Sequence, residues 1–246
     1  MNDLKIFGDA EELINALAET ICEASQKAVR SHGQFNFVLS GGSSPKKLYE
    51  LLASEKFKDK IDWEKTFFFF GDERFLPEND PDRNSRMVQE ALFDPLGINT
   101  SHIFKVDTSH GPEAAAERYM ESIKVHFDKK PIVFDFILLG LGDNSHTASL
   151  FPYTSVLKET EATVKSIFVD EVDMFRITMT APLINQAEQI AFLVFGEGKS
   201  EAVVHILEDR SGSIDEYPAR LIKSDKNKVQ WFLDSSAASK IVENQD

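Results

Sequence analysis

The chain has 246 residues, 42% hydrophobic and 28% charged, enough apolar material for one large α/β domain or two small ones. Its formal net charge of −14 disfavours nucleic acid and anionic membranes as partners, so an anionic substrate would need a basic cluster built against the chain's own field. No segment approaches the ~20 apolar residues of a transmembrane helix, the start MNDLKIFGDA predicts no secretory signal, and the single Cys22 cannot form an internal disulfide, which fits a reducing cytoplasm.

Asp9 and Glu12 read as a helix start, followed by Leu13, Leu17, Ile21, Ala24 and Ala28 at helical spacing as far as His32 and Gly33. Cys22 falls in this pattern and reads as a small core residue. Phe35 to Leu39 is a first buried strand, and Ser40-Gly41-Gly42-Ser43-Ser44-Pro45 follows it directly. Ser44 is a cap candidate, Pro45 suits a first helical position, and the helix continues through Leu48, Leu51 and Leu52. Such a strand, glycine-serine loop and helix start can seat a phosphate on outward backbone N–H groups at Gly41, Gly42, Ser43 and Ser44. The plain alternative is a strand-to-helix turn, since neither the P-loop ending nor the dinucleotide fingerprint is present.

Thr66 to Phe70 is the next strand, ending in Gly71-Asp72-Glu73-Arg74, which is either a solvated turn or part of a site. Phe75 to Arg86 reads as a long loop that brings Arg83 and Arg86 near Arg74, with a helix over Asn84 to Phe93. A short strand is expected at Ile103 to Val106 and a helix from Pro112 through Phe127. Then comes FDFILLGLGDNSHTASLFP, residues 134–152: a buried strand, a glycine break at Gly140 and Gly142, a polar tip carrying His146, and a helix-compatible piece at Thr147 to Leu150. Val164 to Val169 and Arg176 to Thr180 read as strands, Pro182 as a short helix start, and Ile190 to Phe195 as a buried strand ending in Gly196-Glu197-Gly198-Lys199. A helix through Ala202, Val203, Ile206 and Leu207, a strand at Val229 to Leu233, and a final helix over Ser235 to Val242 capped by Asp234 complete the chain. The alternation predicts an α/β fold with a largely parallel sheet.

In such a sheet ligands bind beyond the carboxyl ends of the strands. Four of these ends carry polar clusters: 40–44, 72–74, 140–146 and 196–199. His146 alone would be either a surface residue or a proton-transfer group. Convergence of the four clusters on one edge favours a site.

SGGSSP at 40–45, GDERFLP at 71–77, LGLGDNSHTASLFP at 139–152, RITMT at 176–180, FLVFGEGK at 192–199, YPARLI at 217–222 and VQWFLD at 229–234 resemble the 6-phosphogluconolactonases. The resemblance runs over nearly the whole chain in the family's order, and 146–152 is its most specific part. It implies a single domain over 1–246, a three-layer α/β/α fold with a modified Rossmann-like, mostly parallel sheet, and a superfamily shared with glucosamine-6-phosphate deaminases. Two departures stand out. Asn144-Ser145 replaces the family's usual Asp-Gly before the histidine, and Arg83-Asn84 replaces its usual Ser-Asn. Ser145 conflicts with a glycine-only conformation, and Asn144 keeps a hydrogen-bonding side chain but loses a charge, which Asp143 is placed to restore.

The resemblance implies hydrolysis of 6-phospho-D-glucono-1,5-lactone to 6-phospho-D-gluconate in the oxidative pentose phosphate pathway, with no cofactor or metal. His146 would be the general base, Arg74 would hold substrate or the oxyanion, Asp72 would shape the site, and Arg176 and Lys199 would join the 41–44 loop around the phosphate. Arg83 is a further phosphate or carboxylate contact, or points to solvent. The partner would be a small phosphorylated lactone, and the chain a cytoplasmic monomer or weak homodimer. The alternatives are a deaminase-like isomerase, or a sugar-phosphate sensor that has lost its base geometry through Asn144-Ser145.

Overall fold

In the computed structural model, which describes residues 2–128, 130–209 and 211–241, the apolar runs become strands Phe35–Leu39 (β2), Thr66–Phe70 (β3), Phe136–Leu139 (β5), Ile190–Val194 (β8) and Val229–Asp234 (β9). With Asn2–Phe7 (β1) they form one sheet in the order β1-β9-β8-β5-β2-β3, every neighbouring pair parallel. Apolar runs without a polar face are what a sheet covered on both sides requires. Period-two alternation divides the side chains between two layers. Phe37, Leu39, Phe68, Phe70, Phe136 and Leu138 meet α1 (Ala10–His32) and α2 (Ser43–Leu52) on one face. Val38, Phe69, Ile137, Leu139, Phe192 and Trp231 face the other layer, which holds α5 (Pro112–His126). A second, antiparallel sheet of Asp72–Arg74 (β4), Met174–Met179 (β7) and Val164–Val169 (β6) belongs to this second layer. The expected three-layer α/β/α architecture is observed.

Strand order places the site. β2 leads through α2 to the edge strand β3, whereas its neighbour β5 leads away towards β8. Their carboxyl ends therefore diverge, and the crevice between them is the switch point where open α/β sheets bind ligands. Two buried tyrosines fix the chain at this edge. The Tyr49 hydroxyl accepts from Ser40 N (2.9 Å) and donates to Ser40 O (2.8 Å); the Tyr119 hydroxyl does the same for Phe70 N (2.7 Å) and O (3.0 Å). Each satisfies the backbone groups of a strand end where the ladder stops.

Several local expectations are corrected. α2 begins at Ser43 with Gly42 (φ 102°) as its N-cap, so Ser44 is not the cap and Pro45 sits third. Asn84–Val88 (α3) is α-helical, but Gln89–Phe93 winds as a π-turn before a short α-turn at Asp94–Leu96 (α4). Ile103 to Val106 makes only an isolated bridge, Ile103 to Phe68. Thr147 to Leu150 is not helical: Ala148 has φ 48°, and Thr147 and Leu150 close a tight bridge. β7 starts two residues before Arg176 and ends at Met179. The described part of the expected last helix, 235–241, is a set of turns in which Asp234 Oδ1 accepts from Ala237 N (2.7 Å); Val242 lies outside the described residues. β1 and β4 carry no apolar run and are not predicted from sequence.

Candidate active site

The four polar strand ends meet around one cavity of about 220 Å³. Its lining includes Ser40, Gly41 and Gly42 after β2, Asp72 and Arg74 on β4, Gly140, Gly142 and His146 after β5, Arg176 on β7 and Lys199 after β8. Period two within β4 sends Asp72 and Arg74 to the cavity and Glu73 to the opposite, buried side. β4 pairs with β7 so that Asp72 faces Thr178 and Arg74 faces Arg176. Two guanidinium groups thus stand side by side on one wall. Lys199 adds a third cation in the short helical turn Glu197–Lys199 that precedes the helix Ser200–Leu207. These cations create a local positive region in a chain of net charge −14.

His146 is held on three sides. Its ring stacks on Phe151 at 4.0 Å between centroids and 15° between planes. Gly142 lies against the other parts of the ring, and a Cβ there would sit 2.1 Å from Nδ1. Asn144 Oδ1 lies 3.2 Å from His146 N and 2.5 Å from Nδ1. A backbone N–H can only donate, so the Asn144 atom it meets is the carbonyl oxygen, and Nδ1 must carry the proton it gives to that same oxygen. Nε2 is then the unprotonated nitrogen. Burial, then Lys199 and Arg176, push the imidazole down to about 4, with Asp143 opposing, so the ring is neutral near pH 7.

Asp72 is the acidic member. Ser149 Oγ donates to its Oδ2 at 2.6 Å, and Asn84 Nδ2 donates to Asp72 O at 3.0 Å and Oδ1 at 3.3 Å. Burial raises the Asp72 carboxyl against the pull of Ser149, Arg74 and Arg176. Ser149 is consequently committed to Asp72, and among the described residues no serine hydroxyl hydrogen-bonds the His146 ring as a serine nucleophile would.

The model for the glucosamine-6-phosphate isomerases/6-phosphogluconolactonase family matches residues 8–231. The chain belongs to this family. It is 33% identical over 243 residues to a 6-phosphogluconolactonase of Nostoc sp., covering 97% of this chain and 98% of that one. It is 38% identical over 220 residues to the Synechocystis sp. protein of the same name, covering 87% and 88%. The solved 6-phosphogluconolactonase of Trypanosoma cruzi superposes with a TM-score of 0.85 at 26% identity, covering 98% of this chain and 97% of that one. A monomeric glucosamine-6-phosphate deaminase superposes with a TM-score of 0.82 at 21% identity, a likeness of fold.

Within this family member the residues singled out from sequence are distributed unevenly. His146, Asp72, Arg74, Gly41, Gly42, Arg176 and Lys199 line the cavity. Ser43 and Ser44 form the first turn of α2 beside it and are not in its lining. Asn144 stands behind His146. Arg83 does not reach the cavity: it is 2% exposed, its Nε is 3.5 Å from Glu73 Oε2, and its Nη2 donates to Val106 O at 2.7 Å. Glu73 in turn accepts from the backbone N–H of Arg74, Asn84 and Ser85 at 2.7–2.9 Å. This buried pair ties β4 to the start of α3.

Asn84, Ser149 and Phe151 are the functional neighbours that sequence reasoning leaves out. Asn84 lines the cavity and presses on Gly41, where a Cβ would come within 1.9 Å of its Oδ1. That Oδ1 is buried against Gly41 and has no hydrogen-bond partner. Its signal in sequence was the retained asparagine beside the substituted Arg83. Ser145 takes φ 63°, so the loop keeps the left-handed conformation that glycine would adopt more cheaply.

Proposed function

We propose that this chain hydrolyses 6-phospho-D-glucono-1,5-lactone to 6-phospho-D-gluconate, as its relatives' names describe. The observation that carries the reading is a neutral histidine, its Nε2 free, at a cavity ringed by Arg74, Arg176 and Lys199. In this reading Nε2 takes a proton from water as the water oxygen bonds to C1. The C1–ring-oxygen bond then breaks, and the imidazolium returns the proton to the departing ring oxygen. Arg74 stabilises the negative charge that builds on the carbonyl oxygen. Arg176 and Lys199 hold the phosphate together with backbone N–H groups of the Gly41-Gly42 loop. Asp72, tied to Ser149 and Asn84, keeps β4 and the 147–150 turn in register around the substrate. An ester carbonyl is electrophilic enough that this route needs neither a covalent nucleophile nor a metal.

The reading extends to the whole chain as one domain over 1–246, supported by two apolar layers that share a single sheet. Among the described residues no helix is long and apolar enough to cross a membrane. A cytoplasmic location and a monomeric or weakly dimeric state complete the proposal; the buried, unpaired Cys22 supports the first.

The test is lactone hydrolysis by purified protein, with lactone generated by glucose-6-phosphate dehydrogenase and product read through phosphogluconate dehydrogenase. Spontaneous hydrolysis is subtracted and His146→Ala run in parallel. Hydrolysis reduced by ~10²–10⁴ in the variant is expected of a lost general base. No activity above background in the parent would overturn the reading and turn attention to binding of phosphorylated sugars. Ammonia release from glucosamine 6-phosphate is expected to be absent.

A further inference from the structure

The amide of Asn144 has two ends. Its oxygen accepts from His146, and its nitrogen donates to Glu171 Oε2 at 2.7 Å. Glu171 sits in the turn Asp170–Val172 that joins β6 to β7, 27 positions from Asn144 in sequence. We propose that Glu171 is a positioning residue for His146, acting through Asn144: carboxylate, carboxamide and imidazole form a three-member chain that fixes the tautomer and supplies the negative charge a carboxylate beside the ring would provide. This rests on the reading of His146 as the base.

A carboxamide next to imidazole can face it with either end. If its NH₂ group turned inward, the His146 backbone N–H would lose its acceptor and Nδ1 would have to be the bare nitrogen, leaving the proton on the nitrogen that must collect one. A carboxylate anchoring the NH₂ group from outside makes the inward oxygen the favoured end, because an ionised acceptor forms the stronger hydrogen bond. That same carboxylate polarises the amide and so strengthens the oxygen as an acceptor.

The other nearby carboxylate is already engaged. Asp143 Oδ1 pairs with Lys199 Nζ at 2.5 Å. The charged groups acting on His146 are thus Lys199 and Arg176, which oppose imidazolium formation, and Asp143, which favours it.

The proposal has a direct spectroscopic reading. Nitrogen-15 NMR of histidine-labelled protein near pH 7 should show His146 protonated at Nδ1 and bare at Nε2. In Glu171→Ala the bare-Nε2 tautomer should lose population, and kcat should fall ~3- to 10-fold, the worth of one net hydrogen bond, while KM holds. Glu171→Gln, which can still accept through its own oxygen, should keep most of the tautomer preference. The effect should also change sign with the amide. In an Asn144→Asp background the two carboxylates repel, so removing Glu171 should raise kcat there although it lowers it in the parent. An unchanged tautomer in Glu171→Ala, or equal effects of that substitution in both backgrounds, overturns the proposal. The accompanying His146→Ala assay separates the two levels. Activity retained there removes the base assignment, whereas the tautomer measurement still decides whether Glu171 orients the ring.

Discussion

Gly142 lies directly against the imidazole of His146, so close that a Cβ on it would stand 2.1 Å from Nδ1 and 2.2 Å from Cε1. The ring cannot step aside freely, because Phe151 stacks on it and Asn144 holds Nδ1. The glycine is required by close approach and not by its backbone angle. Gly142→Ala is expected to displace the imidazole and lower kcat by ~10²-fold, the scale of a 1 Å misplacement of a catalytic group. Thermal unfolding should stay within a few degrees of the parent. A variant with full kcat would show that the ring position is not critical.

Lys199 is paired with Asp143 at 2.5 Å, and the side chain of Asp143 is 77% exposed. A phosphate at Lys199 must displace this partner or share it. Asp143→Asn is therefore expected to tighten substrate binding, lowering KM ~2- to 5-fold, in keeping with the small worth of exposed ion pairs. The gain should shrink as salt is added. A raised KM would mean that Asp143 orients Lys199 for the substrate instead of competing with it.

Much of this arrangement is legible in the sequence. Apolar runs such as Phe136 to Leu139 had to be buried strands, and alternation with helices placed their polar ends on one edge. His146, Arg176 and Lys199 then followed from the motifs. What stayed hidden depended on tertiary partners. β4 is three polar residues long and is a strand only because β7 pairs with it. The 147–150 turn has a helix-compatible composition, yet Thr178 Oγ1 accepts from Ser149 N (3.2 Å) and Thr147 Oγ1 donates to Gly140 O (2.8 Å), which hold Ala148 at positive φ. Arg83 looked like a free cation among loop residues; only the fold brings Glu73 opposite it. Glu171 is distant in sequence from His146 and belongs to none of the motifs.

Glu73 and Arg83 are 1% and 2% exposed at their side chains, and Glu73 also gathers three backbone N–H groups. Removing Glu73 leaves the buried Arg83 guanidinium without a counter-charge. Glu73→Ala is expected to cost about 3–5 kcal/mol in urea unfolding. Arg83→Met should cost less, because the three N–H donors still compensate the carboxylate. The double variant should be less destabilised than the sum, since the two side chains share one interaction. Additive losses, or a loss under ~1 kcal/mol for Glu73→Ala, would mean that the pair does not hold β4 to α3.

His146 links activity and stability to pH through one imidazole. Its folded value is pushed down to about 4 by burial and by Lys199 and Arg176, from an ordinary value of 6.5. Between these two values the unfolded chain binds a proton that the folded chain refuses, so stability rises with pH across this window. The contribution is complete above about pH 6.5 and is lost as pH falls towards about 4. The difference in unfolding free energy between the parent and His146→Gln should therefore change over that interval and be flat above it. Activity follows the same group. The acid limb of kcat/KM should lie well below the pH of an ordinary histidine, approaching about 4. A bound phosphate offsets the charge of Lys199 and Arg176, so the limb of kcat should sit at higher pH than that of kcat/KM. Limbs that coincide near pH 6.5 would place His146 in a wet, uncharged setting and remove the electrostatic coupling between phosphate site and base.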